Sequence, residues 1–404
     1  MKILMSAYAC EPNRGSEEGV GWNIVVQAAK QHEVWVLTRT FYRSAIEAEL
    51  EKQHLSNLHF IYFDPFNWSS DWRDTQGPVQ FHYYLWQIQA YFVGRSLHQQ
   101  VDFDLIQHVT YGKYWSPSFL SLLPAPFIWG PIGGGDAAPK PFWKDFSFRG
   151  KLYETVRSLA QGLGALDPFT QMTARRSQFT LAATHGTAER AHKLGSHTVK
   201  VISQVGLSDQ EIQLLQNLDI AEQPVVRFVS IGRLLHWKGF HLGLRAFAQA
   251  NIPNAEYWFF GDGAEKSRLE ALAASLGIES KVRFWGRMAR ESMFTQLEQC
   301  HVLVHPSLHE AGGFVCAEMM AAGRPVICLD LGGPAIQVTE ATGMKIPAHD
   351  PDQTVQDMAE AMQRLAIDSD LRLRLGKAAQ QRVKDTFRWD AVGQTFAHIY
   401  EQVM

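Results

Sequence analysis

The sequence predicts an α/β protein built from two doubly wound, Rossmann-like parallel-sheet domains, and three observations predict it. Short apolar runs rich in branched and aromatic residues alternate with helix-length segments along the whole chain. A chain of 404 residues has the length of two hydrophobic cores rather than one. The alternation breaks once, in a polar, helix-breaking stretch around Ser208 to Pro224, and then starts afresh.

In the first series KILMSAYA, EVWVLTR, LHFIYFD, FDLIQHVT and FIWGPIG read as buried strands, with GWNIVVQAAK and FHYYLWQIQAYFVGRSLHQQ as helices between them. TLAAT and KVISQV extend that sheet after a long helical excursion from about Lys151 to Gln178. The second series opens with VVRFVSIG and continues through YWFFGDG, KVRFWGRM, HVLVHPS, PVICLDLGG and GMKIPA. The expected domains are therefore 1–208 and 209–387, with the last helix, 388–404, crossing back to brace the first. Two such domains facing each other across a cleft would place ligands beyond the carboxyl ends of the strands, so chemistry should fall just after strands.

Composition narrows the function classes. The formal net charge of −3 supplies no basic field for nucleic acid. Cys10, Cys300, Cys316 and Cys328 are far apart and make no metal-ligand or redox spacing, which fits small apolar side chains in a reducing cytoplasm. The apolar run in MKILMSAYACEPNRG is too short for a signal peptide, and no stretch approaches the ~20 apolar residues of a membrane span. The expected location is cytoplasmic, with peripheral membrane contact left open. Asp102-Phe103-Asp104 and Asp368-Ser369-Asp370 fit a DxD spelling, but one precedes a buried strand and the other lies between helices, so no metal site is expected from them.

Two segments carry the chemistry. Gly232-Arg233-Leu234-Leu235-His236-Trp237-Lys238-Gly239 stands where the strand VVRFVSI ends. A guanidinium and an ammonium five residues apart, flanked by glycines, suit a diphosphate leaving group whose charge grows as its bond breaks. Surface ion pairing is the plainer reading of the same two cations. Glu310-Ala311-Gly312-Gly313-Phe314-Val315-Cys316-Ala317-Glu318 follows the strand HVLVHPS. Gly312 and Gly313 would open a helix whose free N–H groups can receive a phosphate. Glu310, in the loop, can accept hydrogen bonds from sugar hydroxyls, and Glu318, about two turns into the helix, from the two ribose hydroxyls. A solvated helix carboxylate is the alternative for Glu318, set against an apolar context in MMAAGRPVICLD.

The order GR-x4-KG, FGDG, FWGRM and HPSLHEAGGFVCAEMMAAGRPVICLDLGGP resembles the donor domain of the retaining, GT-B-fold glycosyltransferases of family four. That family carries two glutamates separated by seven residues, matched here by Glu310 and Glu318. The resemblance implies that Glu310 holds the donor sugar and Glu318 the ribose, and that Arg233 and Lys238 hold the diphosphate. It further implies that Gly313, Phe314 and Val315 offer backbone amides and that Gly286 and Arg287 border the base. The family usually reads EGFG or EPFG where this chain has EAGG, so the extra Gly312 bears on which amides are aimed.

In the first half, Pro12-Asn13-Arg14-Gly15-Ser16-Glu17-Glu18-Gly19 resembles the family's glycine-rich loop, which would bring Gly15 and Ser16 close to the donor phosphate. A βα turn with a serine cap is the plain reading. His108, ending FDLIQHVT, is the histidine expected at the site, with a buried structural histidine as the alternative. Many family members place the histidine one position to either side, where Gln107 stands on one flank, and adjacent strand residues point to opposite faces.

The activity so implied is transfer of a hexose-type sugar, with retention, from a UDP or GDP sugar to a hydroxyl of a saccharide or lipid-linked glycan, with no required cofactor or metal. Same-fold alternatives are a nucleotide-sugar epimerase, a phosphorylase or synthase, and a non-catalytic nucleotide-sugar binder, the last expected to lack one of Arg233, Lys238, Glu310 or Glu318. Eight of the twelve tryptophans, among them Trp68, Trp72, Trp115, Trp129 and Trp143, fall in the acceptor half, where core packing is the expected role for most. Residues 140–176 hold seven Lys/Arg against three Asp/Glu, interleaved with Phe142, Trp143, Phe146 and Phe148. Contact with an anionic membrane and an ordinary solvated surface both fit that segment.

Overall fold

The computed structural model describes residues 1–67, 76–218 and 224–403. Trp68, Trp72 and residues 219–223 lie outside the described residues. Among the described residues thirteen strands form two sheets. The first comprises β1 (Lys2–Ala7), β2 (Glu33–Thr38), β3 (Leu58–Tyr62), β4 (Leu105–Thr110), β5 (Phe127–Ile132), β6 (Phe179–Ala182) and β7 (Val199–Val201), in the order β3-β2-β1-β4-β5-β6-β7. The second comprises β8 (Val226–Ile231), β9 (Ala255–Phe260), β10 (Val282–Gly286), β11 (Val302–His305), β12 (Val326–Leu329) and β13 (Gly343–Ile346), in the order β10-β9-β8-β11-β12-β13. All neighbouring strands are parallel. Each sheet starts at its centre and winds outward in both directions, so its switch point lies between β1 and β4 or between β8 and β11.

Helices cover both faces of such sheets, which is why their strands read as continuous apolar runs rather than alternating ones. β4 and β5 are buried at every position. In the second sheet alternate residues feed separate cores: Phe228, Tyr257, Phe259 and Val304 pack with the helices Phe240–Ala250 and Pro351–Ile367, whereas Val229, Trp258, Leu303 and Cys328 pack with the helix Phe314–Ala321. The four cysteines are buried and unbridged.

The chain divides into two compact units, one made of Met1–Gly135, Ser158–Gln204 and Trp389–Met404, the other of Asp136–Arg157 and Val205–Arg388. Residues 136–157 fall within the first expected domain by order along the chain, yet they fold with the second. Phe142 and Phe146 are buried in the core that also holds Phe228 and Phe240. The helix Trp389–Val403 belongs to the first unit, where Tyr400 donates to Gln107 Oε1 at 2.5 Å and Gln178 Nε2 donates to the Val403 carbonyl at 3.0 Å. The long excursion is two helices, Phe148–Leu166 and Pro168–Arg176, because Pro168 lacks the N–H to continue the first and Asp167 caps the second by accepting the Phe169 N–H at 2.9 Å. Asp368 of the second DxD spelling is likewise a helix cap, accepting the Leu371 N–H at 2.8 Å.

One buried cation closes the second unit. Arg324 is 0% exposed, and its guanidinium donates to the carbonyls of Cys300 at 3.3 Å, Leu218 at 3.0 Å and Leu297 at 3.2 Å, and to that of Ala322. It satisfies the carbonyl ends of two neighbouring elements at once. Arg324→Ala strands those carbonyls in an apolar interior, so unfolding of the second unit should lose about 3 kcal/mol. Calorimetry should show that as a fall in midpoint of roughly 5–12 °C, and a fall below about 2 °C would contradict the role.

Candidate functional site

The loops that follow β8, β9, β10, β11 and β12 interlock at the carboxyl edge of the second sheet. The Gly232 N–H donates to the Phe260 carbonyl at 2.9 Å, Leu234 to Asp262 at 2.9 Å, and Gly261 to Gly286 at 2.8 Å. The loop after β8 then makes a tight turn, His236–Lys238, ending at Gly239 with φ +66°, where a Cβ would lie 2.0 Å from the Pro306 carbonyl oxygen. Only glycine fits that approach. The Leu308 N–H donates to the Trp237 carbonyl at 2.8 Å, joining the β8 and β11 loops directly.

The EAGG segment is shaped from behind. Gly333 N–H donates to the Glu310 carbonyl at 2.8 Å, and a Cβ on Gly332, whose φ is +61°, would meet that same oxygen at 2.3 Å. Gln337 Nε2 donates to the Gly312 carbonyl at 2.5 Å. DLGGP is therefore the mould for EAGG.

At the centre Glu310 Oε2 accepts from Lys238 Nζ at 2.7 Å and from His305 Nε2 at 2.7 Å. The Lys238 and Glu310 side chains are 15% and 19% exposed. Burial alone would raise the Glu310 pKa, but the charges of His305 and Lys238 and their hydrogen bonds outweigh it and hold the carboxyl well below the usual range. Lys238 uses one of its three donors on Glu310, which leaves two for a ligand. Arg233 is exposed on the same loop, where its carbonyl accepts the Leu235 N–H at 2.9 Å. Gly286, with φ +73°, and the exposed Arg287 stand at the end of β10 on this edge.

The helix Phe314–Ala321 is capped by Gly313, whose φ is +81°. It begins later than expected, so Glu318 stands one turn in rather than two. Phe314, Val315 and Glu318 share its half-buried side, whereas Cys316, Ala317, Met319 and Met320 face the core. The apolar context read from MMAAGRPVICLD belongs to that opposite face, and Glu318 is not enclosed by it.

In the first unit Gly15 and Ser16 are exposed at the carboxyl edge of β1. Ser16 makes no side-chain cap; Gly15 is the capping residue, and Asn13 and Ser16 both sit in the left-handed region, with φ +58° and +63°. That conformation costs ~1 kcal/mol for a residue with a Cβ, a strain found more often at functional loops than elsewhere.

His108 is a correction. It is 1% exposed within β4, and Tyr83 of the helix Gln76–Val101 bonds its Nε2 at 3.2 Å. Burial lowers its pKa to about 3, so it is a neutral structural imidazole. Gln107 points to the other face, donating to the Gly130 carbonyl at 2.8 Å. Neither side chain is presented at the edge. Trp129 is likewise core, at 0% exposure.

Two groups at these edges escaped the sequence reading. His305 closes β11 and reads as part of an apolar run, though its ring holds Glu310. Lys113 lies 4.5 Å from the Tyr111 ring centre, just past β4, and burial lowers its pKa to about 8. Tyr111 has φ +60°, and its N–H donates to Glu17 at 2.6 Å.

The depressed Glu310 pKa fixes the sign of a pH effect. A carboxyl held low contributes stability above its unfolded value of about 4.3 and loses it as pH falls through the folded value. Urea unfolding should therefore find wild type more stable than Glu310→Gln at pH 7, with the gap closing on acidification from about pH 5 to pH 2. A gap independent of pH would contradict the coupling.

Residues 198–382 match the family of glycosyl transferases group 1. Among curated proteins the chain is similar to the lipopolysaccharide core biosynthesis glycosyltransferase LpsE of Rhizobium meliloti (strain 1021), at 30% identity over 229 residues, covering 56% of this chain and 64% of that protein. It is also similar to the alpha-D-kanosaminyltransferase of Streptomyces kanamyceticus, at 27% over 219 residues, covering 54% and 55%. A D-inositol 3-phosphate glycosyltransferase of Corynebacterium jeikeium (strain K411) matches at 30% over 183 residues, 43% of this chain and 42% of that protein. The matches thus span 42% to 64% of these relatives' own lengths. Among solved structures, the lipopolysaccharide outer core galactosyltransferase WaaB superposes with a TM-score of 0.67 at 14% identity over 100% of both chains. Anabaena Alr3699/HepE in complex with UDP and glucose does so with 0.61 at 19%, again over 100% of both. At those identities the likeness is one of fold, the GT-B pairing of two Rossmann-like domains.

Proposed function

We propose that this chain, whose residues 198–382 match the family of glycosyl transferases group 1, is a retaining glycosyltransferase acting on a nucleoside-diphosphate hexose, of UDP or GDP, and on a hydroxyl of a saccharide or lipid-linked glycan. The observation that carries the reading is the Lys238–Glu310 pair at 2.7 Å on the carboxyl edge of the second sheet, with Arg233 beside it. In this reading Glu310 accepts hydrogen bonds from the sugar through its second oxygen, and Lys238 and Arg233 meet the diphosphate. Gly312, Gly313, Phe314 and Val315 present the amino end of their helix to phosphate, and Glu318 accepts the ribose hydroxyls. Gly286 and Arg287 border the base, and in the first unit Gly15 and Ser16 form the loop proposed for phosphate. The first unit would serve the acceptor and the second the donor.

The chemistry follows from where charge develops. The acceptor oxygen bonds to the anomeric carbon on the face from which the phosphate oxygen leaves, and the departing phosphate takes the acceptor's proton. Negative charge builds on that phosphate, where fixed cations stabilise it more than they stabilise the bound donor. Lys238, Arg233 and the helix N–H groups supply that stabilisation without calling on a metal. The HepE structure with UDP and glucose supports a UDP sugar as the first donor to try.

A thermal-shift screen against UDP, GDP and ADP sugars should raise the midpoint with one donor class. Glu310→Gln should still bind that donor and lose at least about 100-fold in transfer. Full activity in that variant would sink the role of Glu310, and a new sugar nucleotide formed without acceptor would favour an epimerase.

A second observation favours a lipid-linked acceptor. On the helix Phe148–Leu166 the side chains Phe148, Leu152, Val156, Leu159, Leu163 and Leu166, three or four residues apart, are 53% to 81% exposed. Such a stripe on one helix face, flanked by Arg149 and Lys151, suits the surface of an anionic bilayer, as at the inner face of a cell membrane. Among the described residues no helix is long and apolar enough to cross a membrane. Flotation with phosphatidylglycerol vesicles at low salt should recover the wild type and not Leu159→Glu/Leu163→Glu. Absence of wild-type binding removes the idea.

A further inference from the structure

On the inward side of that same helix lies a buried carboxylate that no motif announces. Glu154 is 0% exposed, and its Oε1 receives two imidazoles, His236 Nε2 at 3.0 Å and His309 Nε2 at 3.0 Å. His236 comes from the loop after β8, two residues before Lys238; His309 comes from the loop after β11, immediately before Glu310. Each of the two loops that carry the Lys238–Glu310 pair therefore sends its neighbouring histidine to one oxygen atom.

The surroundings leave these rings little freedom. Trp237 stacks between Tyr153, with centres 4.9 Å apart and planes 13° apart, and His309, at 5.5 Å and 15°. Phe146 meets the His236 ring edge-on at 4.9 Å, and a Cβ on Gly150 would stand 3.1 Å from that ring. Burial would raise the Glu154 pKa, but the hydrogen bonds from His236 and His309 and the charges of His309 and Arg157 bring it down to about 2, so it is an anion at neutral pH. An ionised acceptor binds each imidazole N–H more strongly than a neutral one would.

We infer that Glu154 is a positioning residue for the donor site: by clamping His236 and His309 together it sets the separation of Lys238 and Glu310. The inference rests on the reading of those two residues as donor contacts. It differs from simple structural support in what it restrains. A group that only stabilised the second unit would change how much protein is folded, whereas Glu154 changes how well the folded protein holds a diphosphate, because displacement of a preorganised cation by ~1 Å is costly to binding and rate.

The test titrates UDP, GDP and ADP separately by calorimetry at 10 °C into wild type, Glu154→Ala, Glu154→Gln, His309→Gln and the double variant Glu154→Gln/His309→Gln, with thermal midpoints recorded for each. Using whichever diphosphate wild type binds most tightly, Glu154→Ala should weaken binding at least about tenfold. Glu154→Gln, which keeps an acceptor of the same shape, should recover part of that loss. Glu154→Gln and His309→Gln should each weaken binding, and their double variant should be no weaker than the poorer single one, because both break the same clamp. His309→Gln removes one of the two bonds and leaves the carboxylate paired, so it reports even where Glu154→Ala does not fold. Wild-type affinity in folded Glu154→Gln and His309→Gln would overturn the inference. Lys238→Ala separates the two levels: if it loses diphosphate binding while the Glu154 and His309 variants keep it, the site reading stands and the positioning role falls. If Lys238→Ala binds as wild type, or wild type binds no diphosphate, the site reading falls and the positioning role falls with it.

Discussion

A single carboxylate oxygen of Glu310, shared by Lys238 and His305 at 2.7 Å each, is the contact around which the second unit is arranged. A carboxylate 19% exposed keeps its charge only if cations and donors meet it in good geometry, so the backbone on every side must be fixed. Gly239 lets the β8 loop close onto Pro306, and Gly332 and Gly333 press against the carbonyl side of Glu310, Ala311 and Gly312. These glycines, far apart in sequence, serve one geometric requirement. The rest of the edge follows from it, because the β8 loop that carries Lys238 also carries Arg233, and the loop that carries Glu310 leads into the helix bearing Glu318.

The helix Phe148–Leu166 shows how one element can serve two surroundings. Its outward side is a stripe of exposed leucine, valine and phenylalanine. Its inward side carries Glu154 onto the site loops and, one helical face along, the small residue Gly150 against His236 and Gly164 against Trp115. Amphipathicity here is inverted in sense: the apolar face is the exposed one and the charged residue is the buried one. Both departures from the ordinary pattern of a surface helix call for a partner, inside for the carboxylate and outside for the leucines.

Much of this was legible in the sequence because parallel sheets covered on both faces write their central strands as largely apolar runs, as in β4, β5 and β12, which are buried at every position. Glu310, Lys238 and Arg233 were legible for a second reason, since a polar or charged residue just past a buried run stands at a sheet edge. What escaped was anything whose partner is remote. His305 looked like strand core, and Glu154 is 155 residues from His309. Residues 136–157 precede the break between the two strand series yet pack in the second core, because chain order does not say which core a phenylalanine such as Phe142 fills. His108 was misplaced for want of a face: alternation shows that Gln107 and His108 part ways but not that Tyr83 waits on the side His108 takes.

The central claim, that the edge built around Glu310 and Lys238 receives a nucleoside diphosphate, is tested most directly by a crystal structure of the protein grown with the nucleotide it binds. The diphosphate oxygens should lie within hydrogen-bond distance of Lys238 and Arg233, at the amino end of the helix Phe314–Ala321, with the ribose hydroxyls on Glu318. A nucleotide bound away from this edge, with the Lys238–Glu310 pair untouched by it, would contradict the account.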